Sequence, residues 1–160
     1  VRTLLGVHCS RRGSSTRGTP MPVKDLARSD VVTASDDTTA AELASTMAEE
    51  GVGSVVVTDG AEPTGIVTDR DLTVRVLAEG RDPTAVTAAN VMSEDLETIH
   101  RGAGFYEATE VMSERGVRRL PVCDSDGELV GIVTADDLNE LLADEHQQFA
   151  EVIRAQRPPY

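Results

Sequence analysis

An internal repeat constrains this chain more than any other feature. A displacement of 65 residues lays Thr33 on Thr98, Glu42 on Glu107, Met47 on Met112, Glu49 on Glu114, Gly51-Val52 on Gly116-Val117 and Asp59 on Asp124. One inserted residue then moves the offset to 66, and Gly65-Ile66-Val67-Thr68 lies on Gly131-Ile132-Val133-Thr134, with Asp71-Leu72 on Asp137-Leu138. Self-similarity at a fixed period means that one supersecondary unit is built twice. A unit of about 60 residues buries only a marginal core, so the copies are expected to pack on one another about a pseudo-twofold axis.

Each copy has the same local grammar. An extended piece, Val31-Val32-Thr33, leads into Thr38 to Glu50, where Ala40, Leu43, Ala44 and Met47 recur at helical spacing and Gly51 supplies a stop. The apolar β-branched run Ser54-Val55-Val56-Val57 and the strand Gly65-Ile66-Val67 flank a turn at Asp59 to Pro63, which predicts a hairpin. Asp69 to Glu79 reads as a second helix with Leu72, Val76 and Leu77 on one face. The unit is β-α-β-β-α, its second copy runs from Leu96 to Leu142, and the fold class is α+β. We divide the chain into a tail 1–20, a first repeat 21–86, a second repeat 87–143 and a C-terminal extension 144–160. Into that extension the helical apolar stripe of Leu138, Leu141 and Leu142 continues as Phe149, Val152 and Ile153, either in the same helix or in a separate short one, suited equally to the chain's own core and to a dimer contact, and Arg154 to Tyr160 reads as a frayed end.

Charge narrows the function. The chain has 28 acids and 15 bases, a formal net charge of −13. Four of the arginines (Arg2, Arg11, Arg12 and Arg17) stand in the first 20 residues beside no acid, which leaves 11 bases against 28 acids in the rest. A surface that acidic excludes broad binding to nucleic acid or anionic lipid. The Arg-, Ser- and Gly-rich tail cannot bury enough apolar surface to order itself and reads as disordered; an Arg-rich transit segment, or a translation start at Met21, are the alternatives. Two cysteines, Cys9 and Cys123, make neither a disulfide framework nor a metal site, which points to a reducing, cytoplasmic setting. No run of apolar residues approaches the roughly 18 that cross a bilayer.

Known catalytic templates are missing. Lys24 is the sole lysine, so no Gly-x-x-x-x-Gly-Lys loop exists, and His8, His100 and His146 are scattered. Asp124-Ser125-Asp126-Gly127 has part of a calcium-loop pattern without the remaining ligands and reads as a turn. Cys123 reads as a small buried thiol. We expect no enzyme and no metal.

The doubled Gly-Ile-Val-Thr-x-x-Asp at residues 65–71 and 131–137 carries the functional signal. Its structural content is a capping box, with Thr68 and Thr134 as N-caps and Asp71 and Asp137 at N3. The same groups at a strand end also suit a nucleoside, because a carboxylate can accept both ribose hydroxyls while a hydroxyl and a helix N-terminus suit a phosphate. With Val91-Met92-Ser93 and Gly116-Val117-Arg118-Arg119-Leu120-Pro121-Val122, these motifs make residues 24 to 143 resemble a tandem pair of CBS domains, often called a Bateman module. The resemblance implies two clefts between paired repeats and an adenosine ligand such as AMP, ADP, ATP or S-adenosylmethionine. It gives Asp71 and Asp137 the ribose, Thr68 and Thr134 a hydroxyl contact, Ile66, Ile132, Val32, Val52, Gly53 and Val117 the base pocket, and Arg118 and Arg119 the phosphate.

The copies depart from one another. Asp69-Arg70 in the first motif becomes Ala135-Asp136 in the second, so the Arg70 guanidinium lies beside one cleft only and the sites should be unequal. Arg118 and Arg119 are neighbours in an extended stretch and point to opposite faces, so one serves a given cleft. Two functions fit: a nucleotide sensor, homodimeric and acting on a separate effector protein, and a scaffold with vacant clefts. The chain also resembles stand-alone CBS-pair proteins of GC-rich bacteria, some of them tied to stress or dormancy.

Overall fold

A computed structural model describes residues 21–93 and 95–156; the basic tail, with Cys9 and His8, and the last four residues of the expected frayed end lie outside the described residues. The first half comprises a 3-10 turn Val23–Asp25, strand β1 (Thr33–Ala34), helix α1 (Ala40–Glu50), strands β2 (Ser54–Asp59) and β3 (Glu62–Thr68), and helix α2 (Asp69–Leu72), which runs into a π-helical turn Thr73–Leu77. The second half repeats this as α3 (Ala88–Val91), β4 (Ile99–His100), α4 (Phe105–Arg115), β5 (Arg119–Cys123), β6 (Leu129–Thr134) and α5 (Ala135–Ala155). Each half is thus a β-α-β-β-α unit on a three-stranded sheet, in the orders β1-β2-β3 and β4-β5-β6. In both sheets the first pair is parallel and the second antiparallel. Even the irregularity repeats, since the register shifts between Val57 and Thr58 in one hairpin and between Val122 and Cys123 in the other.

Local chemistry sets the element ends. Thr39 caps α1 in a capping box with Glu42, and Gly51 closes it with φ 65°, in the left-handed region that favours glycine. Leu43 and Met47 are buried inward from α1, but Ala44 is exposed, so the apolar stripe is one residue narrower than its spacing predicts. Leu77 departs likewise: the π-helical turn leaves it 68% exposed while Leu72 and Val76 stay buried, because a wider turn rotates the following residue off the core face. α5 continues without a break through Asp144, Glu145 and His146, which resolves the C-terminal extension as the end of the second repeat's last helix. Beyond Leu138 its stripe does not pack on the chain's own core: Leu142, Phe149, Val152 and Ile153 are 45–65% exposed.

The halves are tied by an exchange. The first core gathers Leu43, Val55, Val57 and Val67, but it is completed by Val86, Ala88 and Val91, which precede the second repeat's strands. The second core gathers Leu120, Val122 and Val133 and is completed by Val23, which precedes the first. Val23 and Ala88, related by the same offset of 65, are both fully buried in the opposite half's core. Each lead-in then crosses the other half's hairpin as an isolated antiparallel bridge, Arg28 to Ile132 and Ser93 to Ile66. The motif glycines lie beneath these crossings: a Cβ on Gly131 would sit 3.0 Å from the Arg28 carbonyl oxygen, and one on Gly65 would overlap the Met92 sulfur.

Candidate functional site

Both motifs close as capping boxes of the same geometry. Thr68 donates to Asp71 Oδ2 from its amide at 2.9 Å and its hydroxyl at 2.6 Å, while the Thr68 hydroxyl accepts from the Asp71 amide at 3.2 Å. Thr134 and Asp137 reproduce these contacts at 2.9, 2.6 and 3.2 Å. One carboxylate oxygen of each aspartate is therefore committed to its own helix start.

The second oxygen separates the halves. Asp137 Oδ1 accepts from Arg28 Nε at 3.0 Å and from Arg28 Nη2 at 2.8 Å, a two-pronged contact across 109 residues of chain. Arg28 is brought there by its backbone, which exchanges bonds of 2.9 and 3.0 Å with Ile132. At the equivalent place the first half has Ser93, whose amide bonds Ile66 at 3.0 Å. Asp71 Oδ1 instead has Arg75 Nε at 3.6 Å, one helical turn along, and the Arg75 guanidinium also donates to the carbonyls of Val91 and Met92. Burial pushes the Asp137 carboxyl up, but hydrogen bonds from Thr134 and Arg28 outweigh it and hold the group below the usual carboxylate range.

Between the halves lies a cleft of about 600 Å³, and Val32, Val52, Gly53, Arg119, Ile132 and Thr134 line it. The lead-in 27–31 forms its rim, with Arg28 and Asp30, and Val56 and Asp136 add to the wall. Val56 is buried although its neighbours Val55 and Val57 face the first core, so β2 is covered on both faces. The absent side chain at Gly53 leaves room for the Arg119 guanidinium, whose Nη2 would lie 3.2 Å from a Cβ there. Charges on the wall balance, Arg28 and Arg119 against Asp30 and Asp136.

The other residues singled out by sequence fall elsewhere. Asp137 is not on the cleft wall, since Arg28 stands on the wall and pairs with it at 2.8 Å. Arg118 is not on the wall itself but makes an exposed pair at 3.4 Å with Asp136, which is, and Val117 packs against the second core. Ile66, Thr68, Asp71 and Arg70 belong to the first half's motif, with Arg70 exposed. Arg28 was missed because nothing marks it within its own segment. The offset could have found it: position 28 plus 65 is Ser93, the end of the Val91-Met92-Ser93 motif.

A second concavity, of about 340 Å³, is an apolar groove between α4 and α5 lined by Phe105, Met112, Leu138 and Leu142 among others. Among the described residues no cluster of three or more His, Cys, Asp or Glu side chains could hold a metal ion. None of their helices is long and apolar enough to cross a membrane.

A family model described as CBS domain matches residues 23–78 and 88–144. An uncharacterized protein of Methanopyrus kandleri is 44% identical over 117 residues, 72% of this chain, and the chain spans only 60% of that relative's length. The CBS domain-containing protein YhcV of Bacillus subtilis is 36% identical over 116 residues, 72% of this chain and 81% of that protein. Among solved structures, a CBS domain protein of Pyrobaculum aerophilum complexed with AMP aligns at 25% identity and a TM-score of 0.68, over 73% of this chain and 89% of that one.

Proposed function

The chain belongs to the CBS-domain family as a tandem pair of CBS domains, and on that premise we propose that it is a regulatory module which binds an adenosine-type ligand in the cleft between its repeats and passes the bound state to a separate effector protein. The observation that carries this reading is the wall of the cleft. Val32, Val52 and Ile132 line it with apolar side chains suited to a base, and Arg119 and Thr134 stand on the same wall with a cation and a hydroxyl. A volume of about 600 Å³ lies within the range of small-molecule sites, and the Pyrobaculum relative with AMP shares the arrangement of repeats. No reaction is assigned to the chain itself.

The module acts as a homodimer in this reading. The groove between α4 and α5, continued by the exposed Phe149, Val152 and Ile153, is the surface for a second copy. Light scattering at micromolar concentration should give twice the chain mass of 17.0 kDa; a monomer would sink this part.

Titration calorimetry with AMP, ADP, ATP and S-adenosylmethionine tests the ligand, with Arg119→Ala as the variant that keeps both capping boxes. We expect micromolar binding of at least one ligand and a loss of about tenfold in the variant, the size of one charge-assisted contact. One observation favours a scaffold with vacant clefts: both motif aspartates are already hydrogen-bonded within the chain. No heat with any ligand decides for it.

A further inference from the structure

The cation at the rim and the carboxylate behind it form a unit that the first half lacks. Asp137 Oδ2 is filled by the Thr134 amide and hydroxyl, and Oδ1 takes both prongs of Arg28. The Asp137 side chain is only 10% exposed, whereas that of Arg28 is 67% exposed. A ribose diol seeking this carboxylate must therefore take Oδ1 from a guanidinium, and the guanidinium is free on its outer side to move. We propose that Arg28 makes the cleft selective for ribonucleotides over uncharged ribonucleosides, by covering the Asp137 carboxylate until a ligand phosphate offers the guanidinium a replacement partner. The proposal rests on the cleft being a site for adenosine-type ligands.

The chemistry favours this direction. An uncharged nucleoside that displaces Arg28 breaks two charge-assisted hydrogen bonds to one carboxylate oxygen and returns only neutral hydroxyl donors. A nucleotide brings two or more anionic oxygens, and a planar guanidinium binds phosphate in the same forked manner as carboxylate. Arg119 stands on the same wall to share that charge. The first half gives the contrast within one molecule, because Ser93 at the equivalent place cannot reach Asp71, and Arg75, at 3.6 Å, is tied to the Val91 and Met92 carbonyls.

Arg28→Ser installs the first half's residue and is the variant of choice. Calorimetry with AMP and with adenosine, on wild type and variant, reads the ratio of the two affinities. In the wild type AMP should bind at least tenfold more tightly than adenosine. In Arg28→Ser adenosine should gain about threefold to tenfold and AMP should lose, so that the ratio falls toward one. Arg28→Lys keeps the charge without the fork; AMP should still be preferred while adenosine gains, and this variant stands in if Arg28→Ser does not fold. An unchanged ratio in the variants overturns the selectivity and leaves the nucleotide reading intact. Absence of binding by both ligands in the wild type removes both.

Discussion

The two halves are built on one plan and differ where the plan touches the cleft. Capping, sheet order and even the strand irregularity repeat, with Thr–Asp contacts of 2.6, 2.9 and 3.2 Å in each copy. The lead-ins repeat in path but not in the residue at the crossing. One ends its crossing with Arg28, which reaches 2.8 Å to the other half's aspartate, and the other with Ser93. What has to hold the fold is duplicated; what differs is the charge presented to a ligand.

The exchange of lead-ins makes the first and largest test. Leu43 and Leu120 are fully buried, one in each core, so Leu43→Ala and Leu120→Ala should each cost about 2–5 kcal/mol. Because each core contains a segment from the other half's sequence, denaturation of either variant should remain one transition, with both halves lost together. Two resolved steps in hydrogen exchange or urea unfolding would break the picture of interlocked halves.

The motif glycines sharpen it next. In Gly131→Ala the new methyl meets a backbone carbonyl oxygen at 3.0 Å, whereas in Gly65→Ala it meets the Met92 side chain. Backbone held by a crossing bridge cannot yield cheaply, while a thioether can change rotamer. Gly131→Ala should therefore cost about 1–3 kcal/mol and Gly65→Ala less, as read from urea midpoints. The reverse order would mean that the first half's crossing is the stiffer one.

Those glycines also show how much was legible. The repeat, the hairpins and the capping boxes follow from runs such as Val55-Val56-Val57 and from Thr-x-x-Asp, because these signals are local and are confirmed by their second copy. The exchange was hidden, since Val23 and Ala88 carry no mark of the core they enter; only the tertiary fold decides that. Leu77 misled because periodicity assumes an α-helical turn and the chain takes a π turn there. At the cleft, Val32, Val52, Gly53, Arg119, Ile132 and Thr134 follow from the family resemblance, whereas Arg28 acts through a contact 109 residues away to which only the repeat offset points.

The caps are where the halves should agree. Thr68→Ala and Thr134→Ala remove the same bonds at the same distances, and each should cost about 0.5–2 kcal/mol. The two losses, measured as shifts of the melting midpoint, should match within experimental scatter. A clear excess at Thr134 would show that the cap also holds Asp137 in place for Arg28.

The smallest effect isolates the difference itself. With Arg28 67% exposed and its partner 10% exposed, solvent screening limits the pair to about 0.2–1 kcal/mol, so Arg28→Ala should barely move stability at neutral pH. Its pH dependence is distinctive. The Asp137 carboxyl is held below its ordinary value in the folded protein, against about 3.9 when unfolded. A depressed carboxylate contributes stability above the unfolded value and loses it as pH falls through the folded one. The gap between wild type and Arg28→Ala should thus be full above about pH 5 and should close as pH falls below the ordinary carboxylate value of about 3.9 and on through the lower value of the folded state. Glu42 and Asp82 are also held low, by Thr39 and Thr84, but both proteins keep them and they cancel in the difference. Urea unfolding followed by far-ultraviolet circular dichroism at pH 7 and pH 3.5 measures that gap, and a gap of equal size at both would mean that Arg28 supports the fold by packing and not by its charge on Asp137.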